Sequence, residues 1–175
     1  MKGNECIGHG ELILVVDDNE AHAESTADCL NTIGFECDVV TSGSKALSML
    51  KEKQYDLLLI DLILNDAEGE EGMEVLRFGL KINPFLVAMV FTGHGTVENA
   101  VEAMREGAVD YILKPLNVEG LRIKVVRALE ARELRMNNID LRRRLEQKSG
   151  FEGIIAKSAA LQKVIKKVEM VADTE

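Results

Sequence analysis

Five residues carry the chemistry open to this chain, and each stands just after an apolar run. Asp17 and Asp18 follow Leu12-Ile13-Leu14-Val15-Val16, Asp61 follows Leu57-Leu58-Leu59-Ile60, Thr92 follows Leu86 to Phe91, and Lys114 follows Val109 to Leu113. Three carboxylates brought to one point repel one another unless a cation joins them, and hard oxygen ligands in a partly open acidic pocket suit Mg²⁺. A lysine adds a second positive charge, and a hydroxyl such as Thr92 can hydrogen-bond an anion's oxygen. Metal, ammonium and hydroxyl around one free carboxylate oxygen are what an aspartyl phosphate needs, because phosphoryl transfer is mostly positioning and charge neutralisation. Taken singly, an Asp after a strand is a turn or cap residue, Lys114 before Pro115 is a solvated charge, and Thr92-Gly93 is a turn. Convergence on one sheet edge turns the reading toward chemistry.

That convergence requires the apolar runs to be parallel strands. Four or more large aliphatics bounded by polar residues suit a strand buried on both faces, and ligands of open α/β sheets collect outside the carboxyl ends of such strands. Between the runs lie helical stretches. Asn19 caps a helix to about Ile33 that Gly34 stops, Phe35 to Val40 is a strand, and Ser44 to Lys53 is a helix. Tyr55 to Asp61 is the central strand. Leu62 to Gly72 has loop composition with concentrated negative charge, and Met73 to Lys81 is helical. Thr96 caps a helix through Arg105 that Gly107 ends. Five strands alternating with helices predict a parallel sheet with right-handed crossovers. Whatever the strand order, the five polar residues then share one edge.

With 175 residues and 46% hydrophobic content, the chain can bury one full-size core and carry a helical appendage. Residues 1–117 hold 8 Lys and Arg against 21 Asp and Glu, a net of −13, whereas residues 118–175 carry +4. The acidic part argues against nucleic-acid binding there. Cys6, Cys29 and Cys37 are odd in number and lack metal-ligand spacing, and no apolar run is long enough for a membrane span or a signal peptide's core. A reducing cytoplasm is expected. Met1 to Gly10 is a loose leader, Cys29 and Cys37 are small core residues, and His9, His22 and His94 are scattered without metal spacing.

From Val118 the helical pattern continues without Pro or Gly between Leu121 and Ser149. Asn138 and Leu145 fall at a, and Leu134 and Leu141 at d, of a heptad seam; a buried Asn at a favours a parallel in-register dimer. The plainer alternative is a solvated helix packed back on the domain. Arg142-Arg143-Arg144 is the solvated flank of this helix. Ser149-Gly150 breaks it, and Ser158 to Val171 forms one more amphipathic helix.

The spacing of Asp17-Asp18, Asp61, Thr92 and Lys114-Pro115 resembles the receiver domain of bacterial two-component response regulators, over about Leu12 to Leu129. The resemblance implies a flavodoxin-like α/β fold, a five-stranded parallel sheet of order 2-1-3-4-5 with helices on both faces and an extended C-terminal linker helix. It implies that Asp61 accepts a phosphoryl group from a sensor histidine kinase. Asp18 and Asp61 would bind Mg²⁺ with the Ile63 backbone carbonyl, Asp17 would help through water, and Lys114 would pair with the phosphate. Thr92 would reorient toward it, Tyr111 would swing inward behind, and the Lys114–Pro115 bond would be cis. One departure lies after Asp61, where Leu64-Asn65 replaces the usual Met-Pro pair and the loop runs about three residues longer, adding four acidic residues. Asp66 or Glu68 there could touch the metal, slow dephosphorylation, or face water.

The tail is similar to a narrower family. Leu134, Asn138, Leu141 and Leu145 resemble the linker helix of sigma-54-dependent activators of the nitrogen-regulation type, and Phe151 to Ser158 with Leu161, Val164 and Ile165 look like the opening of their AAA+ ATPase domain. The divisions implied are a leader (1–10), a receiver (11–129), a dimerising linker (130–149) and a fragment of the ATPase domain (150–175). The partners implied are a sensor histidine kinase, a second copy through the linker and the fourth and fifth receiver helices, and the downstream ATPase domain. No G-x-x-x-x-G-K-[ST] occurs, so this chain is expected neither to hydrolyse ATP nor to bind DNA. Two rivals stand beside this reading. A Mg²⁺-dependent phosphohydrolase using Asp61 as nucleophile would need a general acid/base close after it, which Asp66 or Glu68 alone could supply. A receiver-like dimerisation module that no longer switches would keep the fold and lose the chemistry.

Overall fold

The computed structural model describes Gly8 and residues 10–64, 70–92, 97–115 and 117–148. Most of the Met1 to Gly10 leader, Asp66, Glu68, His94, Thr96 and everything from Ser149 onward, including the 150–175 segment and its Ser158 to Val171 helix, lie outside these residues.

Strands β1 (Leu12–Val16), β2 (Glu36–Val40), β3 (Leu57–Asp61), β4 (Val87–Thr92) and β5 (Asp110–Leu113) pair in parallel in the order β2-β1-β3-β4-β5. Helices α1 (Glu20–Asn31), α2 (Gly43–Glu52), α3 (Glu70–Ile82), α4 (Val97–Glu106) and α5 (Val118–Lys148) alternate with them. Strand periodicity sorts the aliphatics onto two faces. Ile13, Val15, Leu57, Leu59, Val87, Met89 and Phe91 pack against Ala23, Ala27 and Leu30 of α1 and Leu121, Val125 and Leu129 of α5. Leu14, Val16, Leu58, Ile60, Ala88 and Val90 pack on the other side with residues of α2, α3 and α4. The central strand β3 is buried throughout, and the edge strands β2 and β5 are half open. That explains why β3 reads as an unbroken apolar run.

The Asn19 side chain caps α1 by accepting from the His22 amide at 3.1 Å, and Gly34, at φ 98°, turns the chain into β2. Helix α3 starts at Glu70, three residues ahead of the expected Met73. Gly72 belongs to its first turn, because a Cβ there would lie 2.5 Å from the Leu62 carbonyl oxygen and 2.7 Å from that of Asp61. Cys29 and Cys37 are half-buried rather than core, since one lies on α1 and the other on the edge strand β2. Burial pushes the Cys37 thiol up to about 12, with the charge of Asp38 and the nearby Cys29 adding to it.

Helix α5 is a single element of 31 residues. Leu121, Val125 and Leu129 form its buried stripe at four-residue spacing. One turn further, Arg132 donates from Nε to the Phe85 carbonyl at 2.8 Å and pairs with Asp56 Oδ1 at 2.7 Å, while Asp56 Oδ2 accepts the Leu12 amide. By internal contacts the chain divides into Met1–Met136 and Asn137–Glu175. Leu134, Leu141 and Leu145 are 72%, 58% and 68% exposed, and Asn138 is exposed too. Among the described residues no helix is long and apolar enough to cross a membrane.

Candidate functional site

The sheet register sets the site. Val16 pairs with Ile60, Asp61 with Phe91, and Thr92 with Leu113, so Asp17 emerges beside Asp61 while Lys114 starts two strands away. At roughly 5 Å per strand, only a long side chain can close that gap. Lys114 does so, with Nζ 5.8 Å from the centroid of the Phe91 ring, 2.5 Å from Asp61 Oδ2 and 2.9 Å from Asp17 Oδ2. Backbone amides hold the other carboxylate oxygens: Asn19 donates to Asp17 Oδ1 and Ile63 to Asp61 Oδ1, both at 3.0 Å. Asp17 has no exposed surface, Asp61 is 7% exposed, and Asp18 faces solvent.

One oxygen from each of Asp17, Asp18 and Asp61 lies within 4.8 Å of the others. Burial works to lower the Lys114 pKa, but hydrogen bonds to Asp61 and Asp17 and their charges outweigh it and raise it above the ordinary lysine value. One ammonium among three carboxylates leaves negative charge in excess. The donor set fits a small hard cation: all ligands are oxygens, two are held in place by the fold, and the third is open to water that such an ion keeps in its shell.

The structure thus brings Asp17, Asp18, Asp61 and Lys114 together, with Ile63 contributing its amide. Thr92 closes β4 at the same edge, and its side chain lies outside the described residues. The Lys114–Pro115 peptide is cis. Tyr111 stands apart and is 44% exposed, its ring 5.6 Å from Lys124 Nζ, which is tied to Asp110 Oδ2 and to the Tyr111 carbonyl. Leu134, Asn138, Leu141 and Leu145 belong to α5, away from this cluster in sequence and element. One participant went unread in the sequence. His22, expected to be a scattered histidine, directs Nδ1 at Asp17 Oδ2 and sets its ring edge-on to Phe91 at 5.5 Å. The signal available was its place in the first turn of the helix that Asn19 caps. Glu71, from the acidic stretch, accepts the Gly43 amide at 2.9 Å at the start of α2.

A nearly buried carboxylate paired with a lysine, beside two further carboxylates, at the carboxyl ends of a 2-1-3-4-5 parallel sheet defines a recognisable class. Residues 13–126 match the family described as the response regulator receiver domain, and the chain belongs to that family. It is 36% identical over 141 residues to an NtrX-like response regulator of Rickettsia conorii, covering 81% of this chain and 30% of that one. It is also 31% identical over 163 residues to the transcriptional regulatory protein ZraR of Escherichia coli K12, covering 93% and 35%. Among solved structures, NtrX from Brucella abortus matches with a TM-score of 0.75 and 31% identity, over 93% of this chain and 35% of that one. The chain spans about a third of the length of these relatives.

Proposed function

We propose that Asp61 accepts a phosphoryl group from the phosphohistidine of a sensor histidine kinase, in a Mg²⁺-dependent reaction that switches a dimeric linker. The observation that carries this reading is the pairing of nearly buried Asp61 with Lys114 beside two further carboxylates. One Asp61 carboxylate oxygen bonds to phosphorus as the P–N bond breaks, and the imidazole nitrogen leaves with the bonding pair. Asp18 and Asp61, with the Ile63 carbonyl, would hold Mg²⁺, and Asp17 would reach it through water. When bound, the ion supplies charge neutralisation for the phosphoryl oxygens. The Ile63 amide keeps the acceptor carboxylate oriented. Lys114 then turns from Asp61 to a phosphoryl oxygen, the Thr92 hydroxyl takes another, and Tyr111 leaves Lys124 and moves inward.

The face formed by α4, β5 and α5 would carry this change to a second copy, with Leu134, Asn138, Leu141 and Leu145 as the seam of a homodimer. Exposure of those three leucines supports the seam. By its likeness to NtrX and ZraR, the chain would be the regulatory end of a cytoplasmic sigma-54-dependent activator, controlling an AAA+ domain that 150–175 begins and binding no DNA itself. The test is intact mass after incubation with acetyl phosphate. A single phosphoryl adduct that requires Mg²⁺ and is absent from Asp61→Asn is expected. Steady consumption of acetyl phosphate without an adduct would replace the reading with the phosphohydrolase, and neither adduct nor consumption would replace it with a non-switching module.

A further inference from the structure

We infer that His22 is a positioning residue for the metal site, holding the Asp17 carboxylate in place through an Nδ1–H hydrogen bond both before phosphorylation, beside Lys114, and after Lys114 turns to the phosphoryl group. The inference rests on the phosphoacceptor reading. Asp17 is fully buried, so every lone pair it leaves unpartnered is costly. Its Oδ1 is held by the Asn19 amide, and its Oδ2 by Lys114 and His22 together. An ionised carboxylate can only accept, so Nδ1 carries the hydrogen whether the ring is neutral or charged. Lys114 is shared with Asp61 and is the partner that phosphorylation takes away. Among the described residues, His22 is then the side-chain donor left on Oδ2.

The ring is well placed for a standing role. Its backbone amide is capped by Asn19, its carbonyl accepts from Thr26 Oγ1 at 2.8 Å, and its edge abuts Phe91. The side chain is 24% exposed, so replacing it opens no core cavity. Outer-shell donors of this kind set which lone pair a carboxylate offers, here toward the water through which Asp17 would reach the ion, and removing an outer-shell partner weakens metal binding by about tenfold or more in known sites.

The experiment is calorimetric titration of the chain with Mg²⁺, for wild type, His22→Phe and His22→Asn. Phe keeps a ring against Phe91 without the donor, whereas the Asn amide nitrogen lies where Nδ1 does. His22→Phe should bind about tenfold more weakly and His22→Asn within about twofold of wild type. The Mg²⁺ concentration for half-maximal phosphorylation by acetyl phosphate should shift in step. Wild-type affinity in His22→Phe, or equal losses in both variants, overturns the inference and leaves the phosphoacceptor reading standing. No Mg²⁺ binding by the wild type would remove both.

Discussion

Asp17 and Asp61 are two carboxylates with almost no contact with water, sharing one ammonium. Breaking a buried pair by removing one partner costs about 3–5 kcal/mol, and the 26% exposure of Lys114 brings the expectation for Lys114→Met down to about 2 kcal/mol. Urea unfolding without Mg²⁺ measures it, and added Mg²⁺ should recover part of the loss. For the wild type, Mg²⁺ at about 100 times its Kd should add about 2.7 kcal/mol, and EDTA should lower the melting temperature accordingly. Away from the site, burial works to raise the Asp38 carboxyl's pKa, but hydrogen bonds from Lys53 and Tyr55 outweigh it and hold it below the ordinary value of 3.8. A carboxyl depressed by folding stabilises above its unfolded pKa and loses that contribution as pH falls through the folded one. The stability gap between wild type and Asp38→Asn should therefore be full at pH 6 and shrink below about pH 4. An unchanged gap at pH 3 would contradict it. Asp17, Asp61 and Lys114 were legible because a strand's end is fixed by where its apolar run stops. His22 was not, since its meeting with Asp17 depends on how the first turn of α1 lies over β1.

Helix α3 shows where element boundaries escape the sequence. Gly69 to Gly72 has turn composition, yet helix begins at Glu70 because Gly72 lets the backbone close on Leu62 and Asp61. Gly72→Ala forces a Cβ into backbone atoms that cannot swing away, so a loss of about 1–3 kcal/mol is expected, with slower phosphorylation because the segment after Asp61 must shift. Equal stability by thermal melting would contradict this. The added acidic residues also have an architectural use, since Glu71 places its carboxylate on the Gly43 amide at the start of α2, where the helix dipole favours negative charge. Composition flagged the stretch as acidic, and only the packing of α3 beside α2 shows where one of those charges goes. In α5, the buried stripe of Leu121, Val125 and Leu129 was implicit in the helical period, while the Arg132 link to Asp56 and Phe85 joins residues far apart in sequence. Arg132→Met should speed hydrogen exchange around 130–136 while leaving exchange in 121–129 nearly unchanged.

At the scale of the molecule, the parallel sheet and its two-faced core follow from five apolar runs and the helices between them, while the order β2-β1-β3-β4-β5 was legible only through the resemblance to receiver domains. The heptad reading of α5 predicts association, because three leucines more than half exposed on one helix have no cover within the described chain. Light scattering should give a dimer, and Leu134→Ser with Leu141→Ser and Leu145→Ser should give a monomer that still takes up phosphate at Asp61. A monomeric wild type would assign those leucines to a solvated helix. The most direct test of the central claim is the position of the phosphoryl group in the chain. Treatment with acetyl phosphate and Mg²⁺, reduction with borohydride to convert an aspartyl phosphate to homoserine, and sequencing of the peptides by mass spectrometry will locate it. Asp61 as acceptor predicts homoserine at position 61 alone; homoserine at 17 or 18, or phosphate elsewhere with Asp61 intact, would contradict it.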